Sequence, residues 1–465
     1  MTKRLKLSKW TIFVPFDENY YAAYNTLFGG IAILDKEAKN FLDKIKYQGI
    51  SIEDIKNPEI KEIIQNLINA NFLIDEDLDE NILYRYFFNR KRFNYFHGAF
   101  LILTTYRCNL ACNYCYQGPS KRTESMSIST AELIVKWIQK LLDYRNTKVI
   151  GITFYGGEPL LNLKALKFIS EKLLRWSNTE KRELSIGIIT NGVLLTKSLA
   201  NNLVDNYGLE RVHVTFDGNK DYHDKLRCFP NGKGTFDIIL SNLLNYVDYI
   251  KDTIVRINID KLNFESSCRL LDVFKEHGLE KRIRIYFARR YAWRPEIVSI
   301  SSIVLSEVEF EEESIKLYNI AVKKGFNVAF EVEPVICDMY LDNHFIIDPG
   351  GKIFKCWDLI GSKEFEVGDI NKISSKENFH PEDDVLSLKY YEILGIDPIE
   401  SETCKNCPYL PLCNGGCRAR SYTLRGSIKI PDCTIEAFNR RRKLLTLYIR
   451  LKYGDILRKF KEERK

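Results

Sequence analysis

The sequence predicts an α/β protein built on a parallel sheet, and three observations carry that prediction. Strand and helix patterns alternate regularly from residue 98 to about 305. Consecutive strands joined through helices must run parallel, because a parallel pair needs a crossover connection. Residues suited to chemistry cluster at the C-terminal ends of those strands, which is where parallel barrels keep their reacting groups.

The first strand, AFLILTT at 99–105, precedes a helix over about 130–142. KVIGITF at 148–154 precedes one over about 163–175. ELSIGIIT, RVHVTF, TIVRINI and KRIRIYF read as four more strands, with helices near Ser198, Phe236, Cys268 and Val308. After the first strand comes YRCNLACNYCY, a C-x3-C-x2-C loop of Cys108, Cys112 and Cys115. After the second comes Tyr155-Gly156-Gly157-Glu158-Pro159, after the third Thr190-Asn191-Gly192, and after the fourth Thr215-Phe216-Asp217-Gly218, while Asn258 ends the fifth.

Three closely spaced thiolates can bind three corners of a 4Fe-4S cluster and leave one iron open, whereas full ligation takes four. An open position marks a site that does chemistry. A zinc knuckle is the alternative reading of such a loop. With Tyr116 following the third cysteine, the loop resembles that of the radical S-adenosylmethionine (radical SAM) enzymes. The resemblance implies a partial (β/α)6 barrel, a cluster whose open iron chelates SAM, and a 5'-deoxyadenosyl radical made from it by one electron. It also assigns the rim: Tyr116, Gly156, Gly157 and Glu158, Thr190 and Asn191, Thr215, Arg227 and Asn258 would hold SAM. Glu158 would accept from the ammonium group and Arg227 would fork onto the carboxylate. HVTFDGNKDYHDKLR at 213–227 resembles the S-x-D-G and H-D-x-x-R signature of one branch, with Thr215 keeping the serine hydroxyl. For Asp217, His223 and Asp224, loop hydrogen bonding reads at least as well as catalysis.

Cys337, Cys356 (following Gly351 as G-x4-C), Cys404, Cys407, Cys413, Cys417 and Cys433 form a second field. Its spacing resembles the SPASM extension of radical SAM enzymes; a pair of zinc ribbons is the alternative. By that resemblance Cys404, Cys407, Cys413 and Cys433 would fully ligate a distal cluster, and Cys337, Cys356 and Cys417 a nearer one. Three 4Fe-4S clusters and SAM are thus the expected cofactors. Residues 338–355 contain no cysteine, so the nearer cluster would take Asp338, solvent or substrate at its last iron.

The N-terminal stretch reads as strands at 10–16 and 30–34, a helix capped by Asp35, a helix over about 59–70 and a short strand NFLI. Its layout resembles the winged-helix-like element with which enzymes modifying ribosomal peptides bind a leader at an open sheet edge. A barrel-packing extension without a partner is the alternative. The expected division is 1–80 for this element, 81–97 for a linker helix, 98–305 for the barrel, 306–440 for the SPASM region and 441–465 for a C-terminal amphipathic helix.

Composition excludes other classes. Sixty-nine basic residues against 62 acidic give a net charge of +7, too modest to require nucleic-acid binding. No signal peptide or spanning segment is visible, which leads to the expectation of a cytoplasmic protein with no membrane partner. There, 12 cysteines read as metal ligands rather than disulfides.

The resemblance implies a maturase that crosslinks a ribosomally made precursor peptide, with the leader peptide and a flavodoxin or ferredoxin donor as partners. An anaerobic sulfatase maturase is the rival, but that group carries a base aspartate directly after the G-x4-C cysteine. Here Trp357 stands there, with Asp358 one residue later; the sequence assigns no general base, and Asp338 and Asp358 are candidates. Peptide epimerisation and a noncatalytic cluster-binding adaptor complete the alternatives.

Overall fold

The computed structural model describes residues 4–15, 18–115, 123–290, 302–329, 336–433, 445, 446, 448, 449 and 454. Tyr116 and most of the expected C-terminal helix lie outside them. Contacts divide the chain into two units: Met1–Arg92 with Phe330–Cys337 and Ile396–Lys465, and Phe93–Ala329 with Asp338–Gly395.

In the first unit, β1 (Arg4–Leu7) is the centre of a three-stranded antiparallel sheet, and β2 (Thr11–Pro15), β3 (Tyr20–Asn25) and β4 (Ile31–Asp35) form an antiparallel meander. Helix α1 (Lys36–Gln48) starts where expected, with Asp35 accepting from Ala38 N at 2.8 Å. β5 (Ile50–Ser51), α2 (Pro58–Asn69) and β6 (Leu73–Asp75) follow, and β5 and β6 flank β1. Leu5, Leu7, Leu42, Ile45, Ile64 and Phe72 pack between the sheet and these helices. Helix α3 (Glu80–Arg92) belongs to the same unit, its Tyr84 ring 5.9 Å from buried Trp10. Residues far along the chain share this unit's core: Ile12, Val14 and Tyr24 pack with Tyr409, Leu445, Tyr448 and Ile449.

The second unit is built on one ten-stranded sheet. β7 (His97–Thr105), β8 (Val149–Gly156), β9 (Glu183–Thr190), β10 (Leu209–Phe216), β11 (Asp252–Ile259) and β12 (Arg284–Arg289) lie side by side in chain order, all parallel. β13 (Asn327–Val328) adds in parallel beside β12, and β14 (His344–Ile347) beside β7, followed by antiparallel β15 (Lys352–Phe354) and β16 (Gly368–Asp369). The crossovers are α4 (Ile128–Tyr144), α5 (Leu163–Thr179), α6 (Lys197–Tyr207), α7 and α8 (Lys220–Leu226, Phe236–Tyr246), α9 (Phe264–Glu276) and α10 (Glu307–Lys323). Side-chain caps start four of them: Ser127, Asn162, Thr196 and Ser306 accept from the backbone N–H groups of Thr130, Ala165, Leu199 and Glu309. α11 (Leu388–Leu394) lies beyond β16 in the chain.

Alternation decides which face each residue serves. On β8, Ile150, Ile152 and Phe154 are at most 1% exposed, while Gly151, Thr153 and Tyr155 between them are half-buried. The buried set faces the helices; on β10 that set includes Phe216, whose ring meets Phe236 of α8 and Phe274 of α9 edge-on. Each fully buried large apolar side chain of this layer contributes about 1.5–3 kcal/mol. The other, inner face is the one that carries polar groups.

A buried polar network fastens the N-terminal ends of the strands. Arg145, just past α4, donates to Asp342 Oδ1 (2.9 Å), Asn343 Oδ1 (3.2 Å), Glu382 Oε1 (2.9 Å) and the Tyr390 hydroxyl (3.0 Å). Asn343 Nδ2 in turn reaches Thr147 Oγ1 (2.9 Å) and His97 O (3.0 Å), tying β14 to the starts of β7 and β8.

Candidate active site at the C-terminal rim

The cysteine loop leaves the end of β7 and is bound at three places. Gly157 N donates to Thr105 O (2.9 Å) and Glu158 N to Arg107 O (2.8 Å), so β8 grips the chain as it enters the loop. A Cβ on Gly156 would stand 2.2 Å from Thr105 O, and one on Gly157 2.3 Å from Arg107 O. The two glycines are therefore needed for this backbone approach. Asn191 Nδ2 donates to Asn109 Oδ1 at 2.8 Å and lies 3.8 Å from Cys108 Sγ, a donor directed at a loop sulfur. Ala111 N donates to Cys228 O at 2.8 Å.

Glu158 is fully buried and stitches two strand ends together. Its carboxylate accepts from Thr190 Oγ1 (2.8 Å), Asn191 N (2.8 Å) and Leu160 N (3.1 Å). Burial nevertheless pushes its pKa up to about 7 against these donors.

Tyr114, between the second and third cysteines, is the loop's inward anchor. Its hydroxyl donates to Asp217 and accepts from Arg227 Nη1 at 2.7 Å, and the Arg290 guanidinium lies 4.3 Å from its ring centre. Asp217 also accepts from Asn258 Nδ2 at 2.9 Å, and Arg290 pairs with Asp260. Burial opposes ionisation of Asp217, but Arg290 and Arg227 outweigh it and hold the carboxyl below its ordinary range. Among the described residues the network is incomplete: Arg227 Nε, Arg290 Nε and Arg290 Nη2 are buried donors without a partner. A buried donor left unpaired is costly, so these N–H groups mark a place for an acceptor.

Thr190, Asn191, Thr215, Arg227 and Asn258 all sit at this rim, each at most 9% exposed. His223 is structural. Its Nδ1 accepts from Asp217 N (3.4 Å), which leaves the Nε2 proton for Thr235 Oγ1 (3.1 Å), and Thr235 donates to Arg227 O (2.6 Å). Burial and Arg227 lower its pKa to about 3, so the ring is neutral. Asp224 caps α8 through Thr235 N and Phe236 N. Two rim residues escaped the sequence reading. The position of Tyr114 inside the cysteine motif was an available signal; Arg290, just past β12, carries no local motif.

Among the described residues no disulfide joins the cysteines. Burial pushes the Cys108 thiol up and that of Cys112 up to about 12, and Cys115 is near enough to add to both shifts. Among the described residues no three of His, Cys, Asp and Glu converge on one point. Three thiols in one short loop are the donor set that three corners of a 4Fe-4S cluster would take.

In the second field, Cys404 is buried, which raises its pKa, and Cys433 and Cys407 are close enough to add to the shift. Arg420 holds Asp432 bidentately at 2.7 and 2.8 Å, and Asp432 N donates to Gly415 O at 2.8 Å, fixing Cys433 beside the segment of Cys413 and Cys417. Cys337 belongs to the first unit and Cys356 to the second, where Gly351 at φ 83° turns the β14–β15 hairpin that leads to it. Asp338 is exposed and 3.2 Å from His344 Nδ1; Asp358 lies in a single turn after Cys356.

Residues 102–286 match the sequence model of the Radical SAM superfamily. These residues form a radical SAM domain. The chain is 22% identical to the radical SAM cyclopropyl synthase TigE of Paramaledivibacter caminithermalis, over 93% of each chain. It is 25% identical to a cysteine-type anaerobic sulfatase-maturating enzyme of Clostridium novyi, over 67% of this chain and 85% of that one. Its fold resembles anSMEcpe with bound AdoMet (TM-score 0.60, 18% identity, 78% of this chain and 100% of that). It also resembles Streptococcus suis SuiB bound to precursor peptide SuiA (TM-score 0.52, 16% identity, 92% and 99%). No helix among the described residues is long and apolar enough to cross a membrane.

Proposed function

We propose that the protein is a peptide maturase that abstracts hydrogen from a ribosomally made precursor and installs a crosslink. The observation that carries this reading is the extent of correspondence: TigE and SuiB match more than 90% of this chain, whereas the sulfatase-maturating enzyme of Clostridium novyi matches 67%. The N-terminal sheets have edge strands β2, β4, β5 and β6 that suit pairing with an extended leader. Residues 1–80 then act as the leader-recognition element and 306–440 as the SPASM region.

A 4Fe-4S cluster held by Cys108, Cys112 and Cys115 would, when bound with SAM, supply one-electron cleavage to a carbon radical. The chain's own residues do the positioning. Asn191 donates toward the Cys108 sulfur, Glu158 locks the strand ends beneath the loop, and Arg227 and Arg290 offer their open N–H groups to a carboxylate. Cys404, Cys407, Cys413 and Cys433 would hold one auxiliary cluster and Cys337, Cys356 and Cys417 another, with a flavodoxin or ferredoxin as donor.

The test is anaerobic incubation of the reconstituted protein with SAM, a reductant and candidate leader-bearing peptides. Formation of 5'-deoxyadenosine with loss of a hydrogen pair from the peptide is the expected result. Formylglycine in place of cysteine or serine would assign it as a sulfatase maturase, an unchanged mass with inverted stereochemistry as an epimerase. No 5'-deoxyadenosine under any condition would leave only an adaptor.

A further inference from the structure

The inner face of the sheet, toward the rim, carries a cation without a counter-ion among the described residues. On β10 and β11 the residues opposite the helix-facing Val214, Phe216, Val255 and Ile257 are His213, Thr215 and Arg256. Thr215, Arg256 and Tyr286 are register partners across β10, β11 and β12, so they form one row on that face. Arg256 is half-buried. Its Nε donates to Asn258 Oδ1 at 2.8 Å and its guanidinium stands 5.9 Å from the Tyr286 ring centre. Among the described residues no carboxylate forms an ion pair with it.

Other arginines near it are held by partners. Arg284, on the same strand as Tyr286, is held by Asp252 through two hydrogen bonds of 2.8 and 2.5 Å. Arg290 pairs with Asp260 and Arg227 with Tyr114. Arg256 keeps its two terminal nitrogens for something else. Beside it, the His213 ring meets Tyr286 edge-on at 6.3 Å, and its Nε2 is buried without a hydrogen-bond partner. Burial, then the Arg256 charge, lower the His213 pKa to about 3, so this ring is neutral and adds a polar contact rather than charge. An unpaired guanidinium, an orphaned imidazole nitrogen and a half-open tyrosine on one face make a receptor for a planar anion.

We infer that Arg256, His213 and Tyr286 form a carboxylate subsite for the peptide being modified, so that the reacting segment carries an acidic side chain or its own C-terminal carboxylate. The inference rests on the peptide-maturase reading. It also explains why Asn258 is fixed: Arg256 holds its Oδ1 while Asp217 accepts from its Nδ2, so an anion on Arg256 is set directly under the rim.

The test uses the full chain with clusters reconstituted and SAM bound, so that the SAM carboxylate is already in place. Ligand-observed NMR measures binding of N-acetylglutamate N-methylamide, its neutral isostere N-acetylglutamine N-methylamide, and N-acetylglycine. A side-chain carboxylate predicts about tenfold tighter binding of the glutamate probe than of the glutamine probe. A C-terminal carboxylate predicts that N-acetylglycine leads instead. Either preference should vanish in Arg256→Gln, persist in weaker form in Arg256→Lys, and survive in Arg211→Gln, which removes a charge four residues deeper on β10. Equal binding of charged and neutral probes overturns the inference, as does a preference that survives Arg256→Gln. Iron content and SAM binding, read on the same samples, report folding. Absence of SAM cleavage or of peptide modification would count against the maturase reading while leaving the probe result to stand or fall on its own.

Discussion

The two ends of the parallel sheet both hold buried arginines, and they hold them differently. At the N-terminal end every N–H of Arg145 has an acceptor among Asp342, Asn343, Glu382 and Tyr390. At the C-terminal end Arg290 leaves Nε and Nη2 without one, and Arg227 leaves Nε. Folding itself completes the Arg145 network, whereas the network of Arg227 and Arg290 keeps open donors among the described residues. Burial and charge alone would not separate the two, since all these arginines are at most 8% exposed. Hydrogen-bond satisfaction separates these three, although Arg182, just before β9, also keeps a buried Nε without a partner among the described residues.

The comparison breaks most visibly at the base. Arg145→Ala leaves Asp342 and Glu382 without their cation and should cost about 3–5 kcal/mol in denaturant unfolding, with SAM affinity of the surviving folded protein unchanged. Gly157→Ala places a Cβ against two backbone carbonyls and should cost about 2–3 kcal/mol together with iron from the β7 loop, measured as iron per chain. Arg290→Gln should cost less stability, about 1–3 kcal/mol, because part of the guanidinium is unsatisfied in the folded protein, and should weaken SAM binding in a direct titration. The smallest effect is a pH dependence. Glu158 has a folded pKa of about 7 against an ordinary 4.5, so its contribution to stability is full below the ordinary value and is lost as pH rises toward and through 7. Glu158→Gln should flatten that portion of the stability profile of the cluster-free protein, at about 1–3 kcal/mol for misaligning one of three donors.

Much of the second unit was legible in the sequence because its signals are local. Alternating apolar residues marked all six strands from β7 to β12, and Asp35 marked the start of α1. Short strands carried too little pattern: Arg4–Leu7, Ile50–Ser51 and the aromatic Tyr20–Asn25 were not anticipated. Nor was the core that Ile12 and Val14 share with Tyr409 and Tyr448, since nothing near residue 12 encodes a partner some four hundred residues away. At the rim, the close approach of the motif glycines to the backbone of the cysteine loop was not anticipated. Arg290 was invisible because its meaning comes from Asp217, Asp260 and Tyr114, which meet it only in the folded sheet.

We propose that the rim holds a SAM-binding cluster and that two auxiliary clusters are held elsewhere. Iron and sulfide counted in the anaerobically reconstituted protein, with and without Cys108, Cys112 and Cys115 changed together to alanine, decide this. About twelve of each per chain, falling to about eight with SAM cleavage abolished, is the expected result. About four irons in the unchanged protein, or zinc at the cysteines between 337 and 433, would contradict it.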